Sequence, residues 1–93
     1  MDKTISKTYK ANVTFKMEVG PDIKFVEYGY KLAHEEEQDP INYIMNSIKG
    51  NLCFDVSIKE FKEIPLVEVG RGKYVNADKI VTVLVTDVEE VNE

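Results

Sequence analysis

Apolar and polar residues alternate from Tyr9 onward. Tyr9, Ala11, Val13, Phe15, Met17 and Val19 stand against Lys10, Asn12, Thr14, Lys16 and Glu18. A period of two buries one face and wets the other, the pattern of an antiparallel strand over a single core. Ile5 continues the phase backwards, but Lys7 breaks it. Read as one straight strand, residues 4–19 would run about 50 Å at ~3.3 Å per residue, too long for so short a chain. A bend or bulge near Lys7 is therefore expected.

Gly20, Pro21 and Asp22 then signal a turn. Glycine accepts positive φ, proline presets φ, and aspartate bonds back to nearby amides. Residues 23–33 read two ways. Ile23, Val26, Tyr30 and Ala33 have helical spacing, whereas Val26, Tyr28, Tyr30 and Leu32 alternate, and Gly29 weakens a helix interior. The strand reading, hairpinned to the first strand, is favoured over the helix. Gly29 then marks a bulge or a close backbone approach.

His34, Glu35, Glu36, Glu37 and Gln38 form an acidic loop, or the tail of that alternative helix. Asp39 and Pro40 start a helix: aspartate accepts from the free first-turn amides, and proline lacks a donor that would be orphaned there. Ile41, Ile44, Met45 and Ile48 make one apolar stripe, and Gly50 falls where a left-handed C′ residue ends a helix, with Lys49 suited to the negative end. The spacing predicts an amphipathic helix over 39–50.

Leu52, Phe54, Val56 and Ile58 alternate again, but Phe61 and Ile64 fall out of phase, which places a bulge or strand end near Lys59 and Glu60. Pro65 suits a sheet edge or a strand start. Residues 66–69, 73–75 and 80–88 read as a meander. Its last member has apolar side chains of both parities (Ile80, Leu84 and Val81, Val83, Val85) and is expected at the centre of the sheet, covered on both faces. The order is β-β-α-β-β-β-β. It predicts a small α+β domain over 1–93 with a mainly antiparallel sheet of five to six strands, the helix on one face, and frayed ends at 1–6 and 89–93.

Composition and charge narrow the function classes. The chain has 93 residues, enough for one modest core. Its first residues carry charges without an apolar signal segment, and no run approaches the ~18 apolar residues of a membrane span. The single cysteine, Cys53, cannot form an intramolecular disulfide. These features lead to the expectation of a cytoplasmic protein, in the host cytoplasm if phage-encoded.

The net charge is −5, split as +2 over residues 1–33, −5 over 34–69 and −2 over 70–93. That balance argues against broad nucleic-acid affinity, which draws on counterions released from neutralised phosphates.

No residue set singles itself out as catalytic, cofactor-binding or metal-binding. His34 has no nucleophile placed beside it, and Cys53 reads as a small buried or half-buried thiol. The acids at 35–39 lack the spacing and glycine of a calcium loop. Gly70, Arg71, Gly72 and Lys73 lack the length and ending of a phosphate-binding loop and read as a hairpin turn with a basic tip.

The run Tyr74, Val75, Asn76, Ala77, Asp78, Lys79, Ile80 resembles the strand-turn-strand near the end of LytTR-type DNA-binding domains. The likeness covers that run alone. The basic, histidine-bearing segment that precedes it in that family is absent, so shared turn chemistry is what it implies.

The leading expectation is a non-enzymatic protein-binding or regulatory module, with a second copy of itself as one candidate partner through the exposed edge of the first strand. Candidate contact residues are Arg71, Lys73, Tyr28, Tyr30, Glu35, Glu36, Glu37 and Asp39. The alternative is an acidic inhibitor of phage or mobile-element type that imitates nucleic acid. A third reading is a weak nucleic-acid binder using Arg71, Lys73 and the first-strand lysines.

Overall fold

The computed structural model describes residues 4–57 and 62–91. Its elements follow the expected order: β1 (Ile5–Met17), β2 (Ile23–Leu32), α1 (Pro40–Gly50), β3 (Leu52–Ser57), β4 (Lys62–Gly70), β5 (Lys73–Asn76) and β6 (Ile80–Glu90). The strands do not form the single sheet expected from the chain. They build two three-stranded antiparallel sheets, β2-β1-β6 and β3-β4-β5.

Residues 23–32 resolve as strand. β1 and β2 form a hairpin in which Phe15 faces Ile23 and Lys10 faces Tyr28, closed by a turn where Gly20 takes φ +95°. The bulge expected near Lys7 is present as a register shift between Ile5 and Lys7. The alternation of β1 translates directly into burial. Tyr9, Ala11, Val13 and Phe15 are all buried, and Phe15 is wholly so.

The position of β1 corrects two expectations. β1 pairs with β2 on one side and β6 on the other, so it is the centre of its sheet and has no free edge for a partner strand. β6 is the edge, and Val81 is 68% exposed on it. The physical reason lies in register shifts between Lys10 and Asn12 and between Lys16 and Met17, each marking a bulge in the β1–β6 ladder. A bulge changes which face the next residue meets. Ile80, Val83, Val85 and Val88 consequently all pack toward one core despite their mixed parity.

The expected meander is also broken. β4 and β5 form a hairpin, but β5 and β6 belong to different sheets. A single turn of 3-10 helix, Ala77–Lys79, carries the chain across, with the Asn76 side chain accepting from the Asp78 amide at 2.9 Å. Such an Asx bond redirects the backbone where a longer loop would otherwise be needed. Pro65 sits in β4 opposite Phe54, just beyond the last β5 pair at Leu66 and Asn76. It thus occupies a locally one-sided position, as a residue without an N–H requires.

α1 starts as its sequence dictates, with Asp39 accepting from the Ile41 amide at 3.0 Å and Pro40 in the first turn. Its end differs from expectation. Gly50 remains helical, and Asn51 closes the helix in a right-handed conformation, its amide shared between Ser47 and Ile48 carbonyls. The buried stripe is Tyr43, Ile44 and Ile48, while Ile41 is exposed.

These residues meet the inward face of β1 and the second sheet's Val67, Val69 and Val75 in one core. The expected bulge at Lys59 and Glu60 lies outside the described residues. At the acidic end, Glu90 belongs to β6 and the Val91 amide donates to the Thr8 carbonyl at 2.8 Å. Among the described residues no helix is long and apolar enough to cross a membrane.

Candidate functional site: the open face of the first sheet

β1 buries its odd-numbered residues from 9 to 15, so the even-numbered ones point to the other side of the sheet. Cross-strand pairing extends that side over three strands. Its rows read Tyr28, Lys10, Glu89, then Val26, Asn12, Thr86, then Lys24, Thr14, Leu84. Tyr30 joins beside Thr8, and Thr82 joins beside Lys16.

The helix covers the inward face, where the Tyr9 and Tyr43 rings stack at 5.5 Å. The outward face keeps apolar side chains open to solvent: along β2, Val26 is 53% exposed, Tyr28 42% and Tyr30 47%, and Leu84, across Thr14 on β6, is 40% exposed. Three lysines edge these side chains. Lys10 reaches Glu89 at 3.3 Å and Lys16 reaches Asp22 at 3.1 Å, both on the surface. Exposed pairs of this kind are weak and exchange readily for a competing carboxylate.

A shallow depression of about 420 Å³ lies in this face, lined by Lys10, Asn12, Val26, Tyr28, Asp87 and Glu89. One of its walls is unusual. Asp87 has φ 54°, a left-handed backbone in mid-strand, and its carboxylate accepts from Asn12 Nδ2 at 2.9 Å. Aspartate tolerates that region better than most residues, and here a cross-strand bond holds it. The bulge turns the end of β6 so that Val88 regains the core and Glu89 comes opposite Lys10.

The residues singled out from the chain separate into three places. Tyr28 and Tyr30 are together on the open face. Arg71 and Lys73 are exposed on the β4–β5 hairpin of the other sheet, where Gly72 takes φ +74°.

Glu35, Glu36, Glu37 and Asp39 lie in the segment that leads into α1, and each has an internal contact. The Glu35 carbonyl accepts from Lys31 Nζ at 2.7 Å, and the Glu36 carbonyl from the Tyr43 hydroxyl at 3.4 Å. Glu37 pairs with Lys7, and Asp39 caps the helix. The hydrogen bond from Lys7, followed by its charge, holds the Glu37 carboxyl below the usual carboxylate range, and Lys7 is raised in return.

Cys53 is exposed rather than buried or half-buried, opposite Leu66 on β3. Among the described residues no cluster of His, Cys, Asp or Glu could hold a metal ion.

Val26, Leu84, Asn12 and Asp87 were not singled out from the chain as site residues, and Lys10 entered only among the first-strand lysines of the nucleic-acid reading. Hairpin geometry carried the missing signal for some of them. The hairpin register, centred on Val19, puts Tyr28 across from Lys10 and Val26 across from Asn12. Leu84 and Asp87 had no such signal, because β6 pairs with β1 from a distant part of the sequence. Comparison with protein-family models, with curated proteins and with solved structures finds no match for the chain.

Proposed function

We propose that the protein is a non-enzymatic binding module that receives another protein on the open face of the β2-β1-β6 sheet. The observation that carries this reading is the run of Val26, Tyr28 and Tyr30 along β2, with Leu84 apart from it on β6, all of them exposed. Tyrosines suit such a role: they bring large contact area with little side-chain entropy to lose, and their hydroxyls remain usable at a wet rim. The partner of matching chemistry presents an apolar ridge flanked by carboxylates. Those carboxylates would face Lys10, Lys16 and Lys24, the last of which has no ion-pair partner among the described residues.

The test compares the wild-type chain with a Tyr28→Ala, Tyr30→Ala double variant in pull-downs from the native cell at low and high salt. A partner retained at high salt by the wild type and lost by an equally stable variant supports the reading. Identical capture by both proteins overturns it. A partner that dissociates steeply with salt and is competed by DNA would instead mark the acidic, nucleic-acid-imitating mode.

One observation favours a second reading. Tyr28 lies directly across from Lys10, with Tyr30 one row away, which places aromatic rings beside a cation as single-strand binders do. Glu89 and Asp87 on the same face and the net charge of −5 oppose it. Titration with single-stranded oligonucleotides, read by tyrosine fluorescence, decides between them: no quenching at low salt removes this reading.

A further inference from the structure

The outer edge of β6 is a second surface, which borders the open face at Leu84. As the last strand in the order β2-β1-β6, it has no partner on that side among the described residues. Edge strands are ordinarily blunted by lysine, proline or shortness, since free N–H and C=O groups otherwise template another strand. β6 has 11 residues, and from Ile80 to Thr86 it contains no charge, proline or glycine. Its bulges confine the regular pairing to residues 82–86.

That regular run is Thr82, Val83, Leu84, Val85, Thr86, which reads the same in both directions about Leu84. An antiparallel ladder joins a strand to a reversed copy, so a palindrome is complementary to itself. We propose that β6 pairs antiparallel with β6 of a second copy of this chain, about a two-fold axis at Leu84. Leu84 then faces Leu84 of the second copy, Val83 faces Val85, and Thr82 faces Thr86.

Each pair joins like with like on one side of the sheet: leucine and threonine outward, valine toward the core. Threonine pairs are among the cross-strand combinations that stabilise antiparallel ladders, and the leucine and valine pairs bring apolar side chains within contact distance. The same register sets Ile80 opposite Val88, with the bulged Val81 and Asp87 opposed outside the regular run. The interface is isologous, as a two-fold dimer requires. Joining there makes the two open faces one continuous surface.

The experiment is sedimentation equilibrium over a wide concentration range with the wild-type chain, Leu84→Lys and Leu84→Glu. The wild type is expected to dimerise reversibly. Either variant alone should be monomeric, because like charges meet at the axis, and an equimolar mixture of the two should recover dimer. Amide exchange in the wild type gives a readout that needs no variant: within residues 82–86, the alternate amides that point away from β1 should gain protection as concentration rises. A wild type that stays monomeric throughout, a dimer that persists in Leu84→Lys, or exchange independent of concentration would each overturn the pairing.

Discussion

Gly29 on β2 lies against the backbone of Tyr43 on α1 so closely that a Cβ there would fall 2.5 Å from the Tyr43 carbonyl carbon and 2.6 Å from the Ile44 amide nitrogen. The helix rests on the strand at this point because nothing projects from it. The side chain of the neighbouring strand residue, Tyr9, fills the adjacent space by stacking on the Tyr43 ring. Because the obstacle is backbone, it cannot rotate away. Gly29→Ala is therefore expected to destabilise the fold by about 2–3 kcal/mol, the upper part of the range for overpacked sites, read as a lower urea midpoint at unchanged slope.

Gly50 predicts the opposite sign. It is helical, has no positive φ, and its missing Cβ would meet nothing within 4 Å. Gly50→Ala restricts the unfolded chain without touching the folded one. A gain of about 0.4–1 kcal/mol in the same denaturation experiment is the expected outcome.

The Tyr43 hydroxyl gathers the approach to the helix. It accepts from the Gln38 amide at 2.8 Å and donates to the Glu36 carbonyl at 3.4 Å. Tyr43→Phe keeps the ring stack but orphans the amide. A loss of about 1 kcal/mol follows. Amide exchange should show where it is lost, with Gln38 exchanging faster and Val13 unchanged.

These predictions rest on parts of the fold that were legible to different degrees. β1 was legible because its alternation is uninterrupted from residue 9 to 15, and α1 because Asp39 and Pro40 each satisfy a specific backbone need at its start. The close approach at Gly29 was legible as one of two alternatives. The exchange of places between β1 and β6 was not. Periodicity assumes a regular ladder, and the bulges in β6 make a strand with one buried face look apolar on both. The division into two sheets was equally hidden, since the turn signal at Asn76, Ala77 and Asp78 does not say whether the next strand returns to the same sheet or joins another. The open face needed both results at once: Tyr28 could be matched to Lys10 from the hairpin, but Leu84 and Asp87 joined it only through pairing distant in sequence.

The Lys7–Glu37 pair ties the start of β1 to the acidic segment, and its response to pH has a definite sign. Glu37 has a lowered folded pKa, so its contribution is present above the unfolded carboxylate range and disappears as pH falls through the folded value. Lys7 is raised, so its contribution is present at neutral pH and disappears as pH climbs through its folded value. Both side chains are exposed, and salt screens the interaction. The stability difference between wild type and Glu37→Gln should be largest near neutral pH in low salt. It should shrink below the carboxylate range and in high salt. A difference that ignores both variables would mean the pair contributes nothing.

The central place of β1 makes the sharpest contrast between two apolar residues of the same sheet. Phe15 has no exposed surface, packs edge-on against Phe25 at 5.0 Å, and has Ile23 and Val83 as cross-strand neighbours. Removing its ring leaves a space bounded by three strands that cannot close on it, so Phe15→Ala is expected to cost about 3–5 kcal/mol. Val81, bulged on the edge strand, leaves most of its surface in water, and Val81→Ala should stay within about 0.5 kcal/mol of wild type. Had β6 been the covered centre, Val81 would have behaved like Phe15. Urea denaturation of the two variants under identical conditions separates the arrangements, since comparable losses at both positions are incompatible with β6 as an edge.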